Sequence, residues 1–193
     1  MIVLSIVLAE LVWTVRELSM DSKRVYIRTI RSSDGREVVA LANASAELHQ
    51  PWISPPLTAH MFKAYLRRCH RDDNEGLVVC LVGSEKIVGV ININTIVRGS
   101  FLSASLGYYG SAKRQGLGYM TEALDLVVRF AFDDLGLHRI EANIQPCNHA
   151  SRNLVKRCGF TLEGESEDFL YINGRWRDHE RWVRIHTRNS LTR

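Results

Sequence analysis

The stretch from Tyr108 to Ala123 (YYGSAKRQGLGYMTEA) constrains the fold more than any other part of the chain. A strand-like run ends there, a basic turn carrying Gly116 and Gly118 follows, and a helical pattern begins. Glycine has no Cβ, so backbone N–H groups at such a turn can come close to an anion. The start of a helix adds N–H groups with no internal acceptor and the positive end of the dipole. Lys113 and Arg114 bring full charges to the same place. The combination implies a pyrophosphate cradle; the competing reading is a glycine-bearing helix start with no chemical role. A Walker-type nucleotide loop is excluded because no Lys-Ser/Thr follows the glycines. A dinucleotide fingerprint is excluded too, because the glycine spacing is incomplete and no initial βαβ unit precedes it.

The flanking patterns set the architecture. Arg24 to Arg31 roughly alternates as a half-buried strand does. Ser33-Asp34 offers a helix cap before Val38, Val39, Leu41 and Ala42, and Thr58 caps a second helix through Met61, Phe62, Tyr65 and Leu66. Between them Pro51, Pro55 and Pro56 stiffen a loop around Trp52. Leu77 to Val82 and Ile87 to Val97 read as a hairpin whose second arm, apolar on both faces at its start, belongs in the middle of a sheet. Phe101 to Tyr109 makes a third strand. Met120, Leu124, Val127, Ala131 and Leu135 form one stripe of a long helix. Arg139 to Gln145 alternates with Ile140, Ala142 and Ile144 inward. Asn148 to Arg157 is a short helix stopped by Gly159, and Phe160 to Glu165 and Trp176 to Ile185 end the chain as strands. The expected fold is mixed α+β: a mostly antiparallel twisted sheet of about seven strands with helices on both faces.

At 193 residues the chain makes one domain with a sizeable core. Twenty-five Lys and Arg against 21 Asp and Glu leave a charge of +4, which suits an anionic cofactor as readily as no anionic partner at all. Cys69, Cys80, Cys147 and Cys158 form no metal-ligand pattern, so four free thiols in a reducing, cytoplasmic setting and no metal are expected. Residues 1–19 read as an extension outside a 20–193 domain, either a mis-assigned start before Met20 or an amphipathic helix. The apolar run there, Ile2 to Trp13, is too short to span a bilayer and poor as a signal peptide, so no membrane partner is expected.

The segment Lys113-Arg114-Gln115-Gly116-Leu117-Gly118 resembles the acyl-CoA pyrophosphate motif of the GNAT superfamily of N-acetyltransferases, with Lys where Arg or Gln is usual. Gly118-Tyr119-Met120-Thr121-Glu122-Ala123 is similar to its continuation in the branch that acetylates the N-terminal alanine of ribosomal proteins. Asn148, Ser151, Leu154, Gly159 and Phe160 match that branch's second motif, and Tyr171 to His179 resembles its C-terminal hairpin. The resemblance runs from about Arg24 to Ile185 and implies an acetyl-CoA-dependent N-acetyltransferase.

It also implies roles. Leu106, Tyr108, Lys113, Arg114, Gln115, Gly116, Leu117, Gly118, Tyr119, Met120, Asn148 and Ser151 would hold acetyl-CoA. A backbone N–H of Leu106-Gly107-Tyr108 would polarise the thioester carbonyl. Ser151 would return a proton to the leaving thiolate, although Asn148 and Ser151 also read as an ordinary cap and a solvated helix residue. Glu141 is the candidate base, with Glu122 and Asp168 behind it. His138 and His179 are expected to be structural, and Trp52 to line the acceptor cleft or simply to pack. The acceptor is a protein N-terminus, with a ribosomal protein foremost. A small-molecule amine is the alternative acceptor, and a non-catalytic acyl-CoA- or ribosome-binding role the other alternative. Without a basic tract interleaved with aromatics, direct nucleic-acid binding is not expected.

Overall fold

The computed structural model describes residues 19–50 and 52–187. The expectation of an extension at residues 1–19 lies outside the described residues, except that the backbone of Ser19 begins the first strand. Among the described residues no helix is long and apolar enough to cross a membrane.

Among the described residues eight strands form one sheet: β1 (Ser19–Asp21), β2 (Val25–Thr29), β3 (Glu75–Leu81), β4 (Ile87–Val97), β5 (Ser103–Gly110), β6 (Arg139–Ile144), β7 (Thr161–Ile172) and β8 (Arg175–Ile185). Their spatial order is β1-β2-β3-β4-β5-β6-β8-β7. Among the described strands only β5 and β6 run parallel, which demands a crossover, and the crossover carries the glycine turn and helix α4 (Tyr119–Arg129). The remaining helices are α1 (Gly35–Ala44), α2 (Ala46–His49), α3 (Ala59–Cys69) and α5 (His149–Arg157). The expected seven strands are present with the three-residue β1 added at the edge.

Alternation in the central strands builds two cores, one on each face. Leu77, Val79, Ile91 and Ile93 face α4 together with Leu124, Val127 and Val155, all essentially inaccessible to solvent. Val78, Cys80 and Val90 face the other way, against Val38, Phe62 and Tyr65. Each such aliphatic side chain contributes about 1.5–3 kcal/mol by leaving water. β4 is therefore buried on both sides, as its sequence demands. The packing at the head of α4 is equally close: a Cβ on Gly89 would lie 2.4 Å from Met120 Sδ. The start of α4 is thereby pinned onto β4 and β5.

Several sequence expectations shift at element ends. Thr58 caps α3 through Oγ1 accepting from the Met61 amide at 3.2 Å, but Met61 itself faces solvent while Phe62 and Tyr65 turn inward. Phe101 precedes β5 and is exposed. The regular α4 stops at Arg129 and continues as a wider π-type turn over Phe130–Asp134, which still buries Ala131. β7 runs seven residues beyond the expected Glu165. Exposed acidic residues in β7 mask its strand periodicity, and pairing with β8 extends it across two register shifts.

Candidate active site

The cleft arises where the two parallel strands separate. β5 and β6 pair only from Ser103↔Arg139 to Leu106↔Ala142. Beyond that point β5 stays with β4, and β6 stays with β8. The gap opens a cleft of about 450 Å³, lined by Leu106 to Ser111 on one wall and Ala142 to Gln145 on the other. The Ser111 amide donates to Val88 in β4 at 2.9 Å, so strand alternation points the amides and carbonyls of Leu106, Tyr108 and Gly110 away from β4, into the gap. A free N–H at Tyr108 is what the polarisation of an acyl carbonyl requires.

At one end of the cleft lies the glycine turn. Gly116 and Gly118 adopt φ of 77° and 82°, the left-handed region that favours glycine. No side chain caps α4, so its first amides remain for a ligand. A Cβ on Gly116 would meet no protein atom within 4 Å, which leaves the turn open outward. Arg114, Gln115, Gly116, Gly118, Tyr119 and Met120 line this end, and Arg157 from α5 adds a second cation. These residues fit a pyrophosphate. Lys113 and Leu117, expected as ligands, lie outside the lining: Lys113 sits in the short helical turn before the glycines, and Leu117 offers its carbonyl to Arg24 Nη1 at 3.0 Å.

Arg24 is a residue that sequence patterning missed. It grips the carbonyl of Leu117, lies 5.0 Å over the Tyr119 ring and pairs with Glu122. Glu122 also accepts from Ser22 Oγ at 2.7 Å. Partial desolvation pushes its pKa up, but the hydrogen bonds from Arg24 and Ser22 outweigh it and hold the carboxyl below its ordinary value. Glu122 is thus committed to bracing the turn.

Asn148 caps α5 by accepting from the Ser151 amide at 3.1 Å, and both residues line the cleft. The Ser151 hydroxyl lies 2.5 Å from that of Tyr108. Burial pushes the Tyr108 phenol up, so it stays protonated near neutrality.

The other end is formed by Leu48, His49, Trp52, Ile53, Asn143, Gln145 and His179. His49 ends α2 and its Nε2 donates to the Gly110 carbonyl at 2.8 Å, while Ser45 Oγ accepts from the Ala112 amide at 3.0 Å. These two bonds lock α2 to the strand and turn. Burial lowers the pKa of His49 and of His179, so both rings stay neutral near pH 7. His179 Nδ1 donates to the Arg177 carbonyl at 2.9 Å. His49 carried no motif, and only its closeness to Trp52 pointed to this region.

The carboxylates expected as bases do not reach the cleft. Glu141 accepts from Arg139 Nε at 2.8 Å, and Arg139 also binds Glu163, which Arg181 approaches at 3.8 Å, a four-charge network whose members lie outside the lining. Asp168 lies at a bulge of β7, its amide donating to Asp178 at 2.9 Å. His138 is exposed at the entry to β6. Among the described residues no cluster suited to hold a metal ion is present, and all four cysteines are free, with Cys80 fully buried.

Residues 24–161 match the acetyltransferase (GNAT) domain model. The [ribosomal protein uS5]-alanine N-acetyltransferase of Escherichia coli is 31% identical, covering 86% of this chain and 89% of the relative. The spermidine N(1)-acetyltransferase of Vibrio cholerae is 25% identical over 83% of this chain and 92% of its own length. The crystal structure of a ribosomal-protein-S5-alanine acetyltransferase from Vibrio fischeri superposes with a TM-score of 0.80 at 28% identity, covering 89% of this chain and 98% of that one. The split strands, the glycine turn heading α4 and these matches lead to one conclusion: this chain belongs to the GNAT family of acetyl-CoA-dependent acetyltransferases.

Proposed function

We propose that the acceptor is the N-terminal α-amine of a protein, with a ribosomal protein foremost among candidates. What supports this reading is the acceptor end of the cleft, whose described lining contains no Asp or Glu. A polyamine carries several cations and would need anionic partners on the wall. A peptide terminus carries one amine, and the side-chain amide of Asn143 in the lining suits the peptide bond behind it. An α-amine has a pKa of about 8, against about 10.4 for a lysine side chain, so a useful fraction is neutral at pH 7.

Acetyl-CoA supplies an acetyl thioester whose carbonyl carbon is open to attack. In the proposed mechanism Arg114, Arg157 and the amides heading α4 hold the pyrophosphate, and Asn148 hydrogen-bonds the pantetheine arm. The Tyr108 amide polarises the carbonyl where β5 leaves β6. Ser151 gives its proton to the departing thiolate and draws on the Tyr108 hydroxyl behind it. Holding amine and thioester together can be worth on the order of 7 kcal/mol, so no strongly basic side chain is needed.

Thiol release from acetyl-CoA with peptides beginning in Ala or Ser, their α-blocked counterparts and spermidine tests the reading. Turnover is expected with the free peptides alone. Turnover on spermidine with none on the peptides overturns it.

A further inference from the structure

The acceptor nitrogen must lose a proton as it is acylated, and none of the carboxylates expected to take it, Glu141, Glu122 and Asp168, lines the cleft. We propose that His179 takes it, through Nε2. The proposal rests on the cleft being an amine-acetylation site, whichever amine enters.

Three observations support it. Along β8, Glu180 and Trp182 face α5, where Glu180 pairs with Arg152 at 2.8 Å and Trp182 joins the core. Strand alternation turns His179 to the opposite face, the face of Asn143 and Gln145, and His179 lines the acceptor end of the cleft. A carbonyl can only accept, so the contact with the Arg177 carbonyl places the single proton of the neutral ring on Nδ1 and leaves the Nε2 lone pair as the basic site. The other histidine of the cleft is used up: His49 gives Nε2–H to Gly110, and its Nδ1 is buried without a partner.

The surroundings of His179 keep it neutral and ready. Burial lowers its pKa, outweighing its bond to the Arg177 carbonyl and the nearby Asp178 charge. From β7 the Phe169 ring stands edge-on at 5.9 Å. β6 and the residue after it turn Asn143 and Gln145 toward this part of the cleft, and α2 with its following loop turns His49 and Trp52, none of them charged near pH 7. On β8 the same face carries Arg177 and Arg181, the latter tied to Glu163 and Ser166. A weak base suffices, because the nitrogen becomes strongly acidic once its lone pair bonds to carbon. In the full step the C–N bond forms and the C–S bond breaks. The amine proton passes to His179 Nε2, the thiolate takes a proton from the Ser151–Tyr108 pair, and His179 returns its proton to solvent, from which the pair is refilled.

The test is His179→Asn, whose side-chain amide overlies Nδ1 and keeps the bond to Arg177 while removing Nε2. Turnover is measured from pH 5.5 to 9 with an Ala-initiated peptide or spermidine, whichever the wild type accepts, and CoA affinity by calorimetry. Unchanged CoA affinity with kcat down on the order of 10²-fold is expected. In the wild type a second ionisation below pH 6.5 steepens the acid limb set by the acceptor amine; in H179N only the amine's remains. Retained kcat with an unchanged acid limb overturns the proposal. Should H179N fail to bind CoA, the wild-type profile decides, and an acid limb with the amine's ionisation alone overturns it. Refusal of peptides in favour of spermidine would remove the acceptor reading and leave the His179 test intact.

Discussion

The hydroxyl oxygens of Tyr108 and Ser151 stand 2.5 Å apart across 43 residues of sequence. One comes from the strand that leaves its parallel neighbour, the other from the first turn of the helix after that neighbour. Their meeting point is therefore a product of the strand separation itself.

That contact sets the first prediction. Ser151→Ala lowers kcat on the order of 10²-fold and lowers CoA affinity far less, because the Asn148 cap uses the backbone amide of Ser151 and survives the change. Tyr108→Phe gives a smaller loss. The double variant falls short of the product of the two, since the hydroxyls act as one unit. Single-turnover kinetics of the four proteins would read the coupling; strict additivity would separate the two groups.

Gly118 is held at φ 82°, and a Cβ there would lie 3.1 Å from Arg24 Nη2. Gly118→Ala costs about 1–2 kcal/mol of backbone strain and weakens CoA binding. Gly136 has a comparable φ of 64° with open space around it. Gly136→Ala should lose similar stability and bind CoA normally, a contrast that melting curves and calorimetry would show together.

The Arg24–Glu122 brace should respond to acid. Glu122 has a folded pKa below its unfolded value, so its contribution is present above the ordinary carboxyl range and disappears as pH falls through the folded value. Glu122→Gln melts slightly below wild type at pH 7, and the gap closes toward pH 3. Arg24 is exposed and Glu122 only half-buried, so solvent screening keeps the difference under about 1 kcal/mol.

His49 acts in the same direction at higher pH. Its folded pKa lies below 6.5, so the unfolded chain binds the proton more readily and stability falls as pH drops from 6.5 toward the folded value. His49→Gln keeps a donor for the Gly110 carbonyl and cannot titrate. Its melting temperature should fall less between pH 7 and pH 5 than that of the wild type.

The glycine turn and the cap of α5 could be read from sequence because their physics is local. Gly116, Gly118 and the start of α4 are contiguous, and Asn148 caps the helix it precedes. The facing part of the lining could not. His49, Asn143 and His179 lie on α2, β6 and β8 and come together only when the sheet splits. Arg24 reaches Leu117 across 93 residues, a contact with no signature along the chain. Glu141 misled because alternation tells which face a side chain takes, while capture of its carboxylate by Arg139 depends on a neighbour two residues away and is reinforced by Glu163 from β7.

The acceptor claim is tested most directly by a single peptide that begins with Ala and carries an internal Lys, incubated with acetyl-CoA and sequenced by mass spectrometry. The acetyl group is expected on the α-amine, with the lysine side chain untouched. An acetyl group on the lysine, or an unmodified peptide beside acetylated spermidine in the same tube, would contradict it.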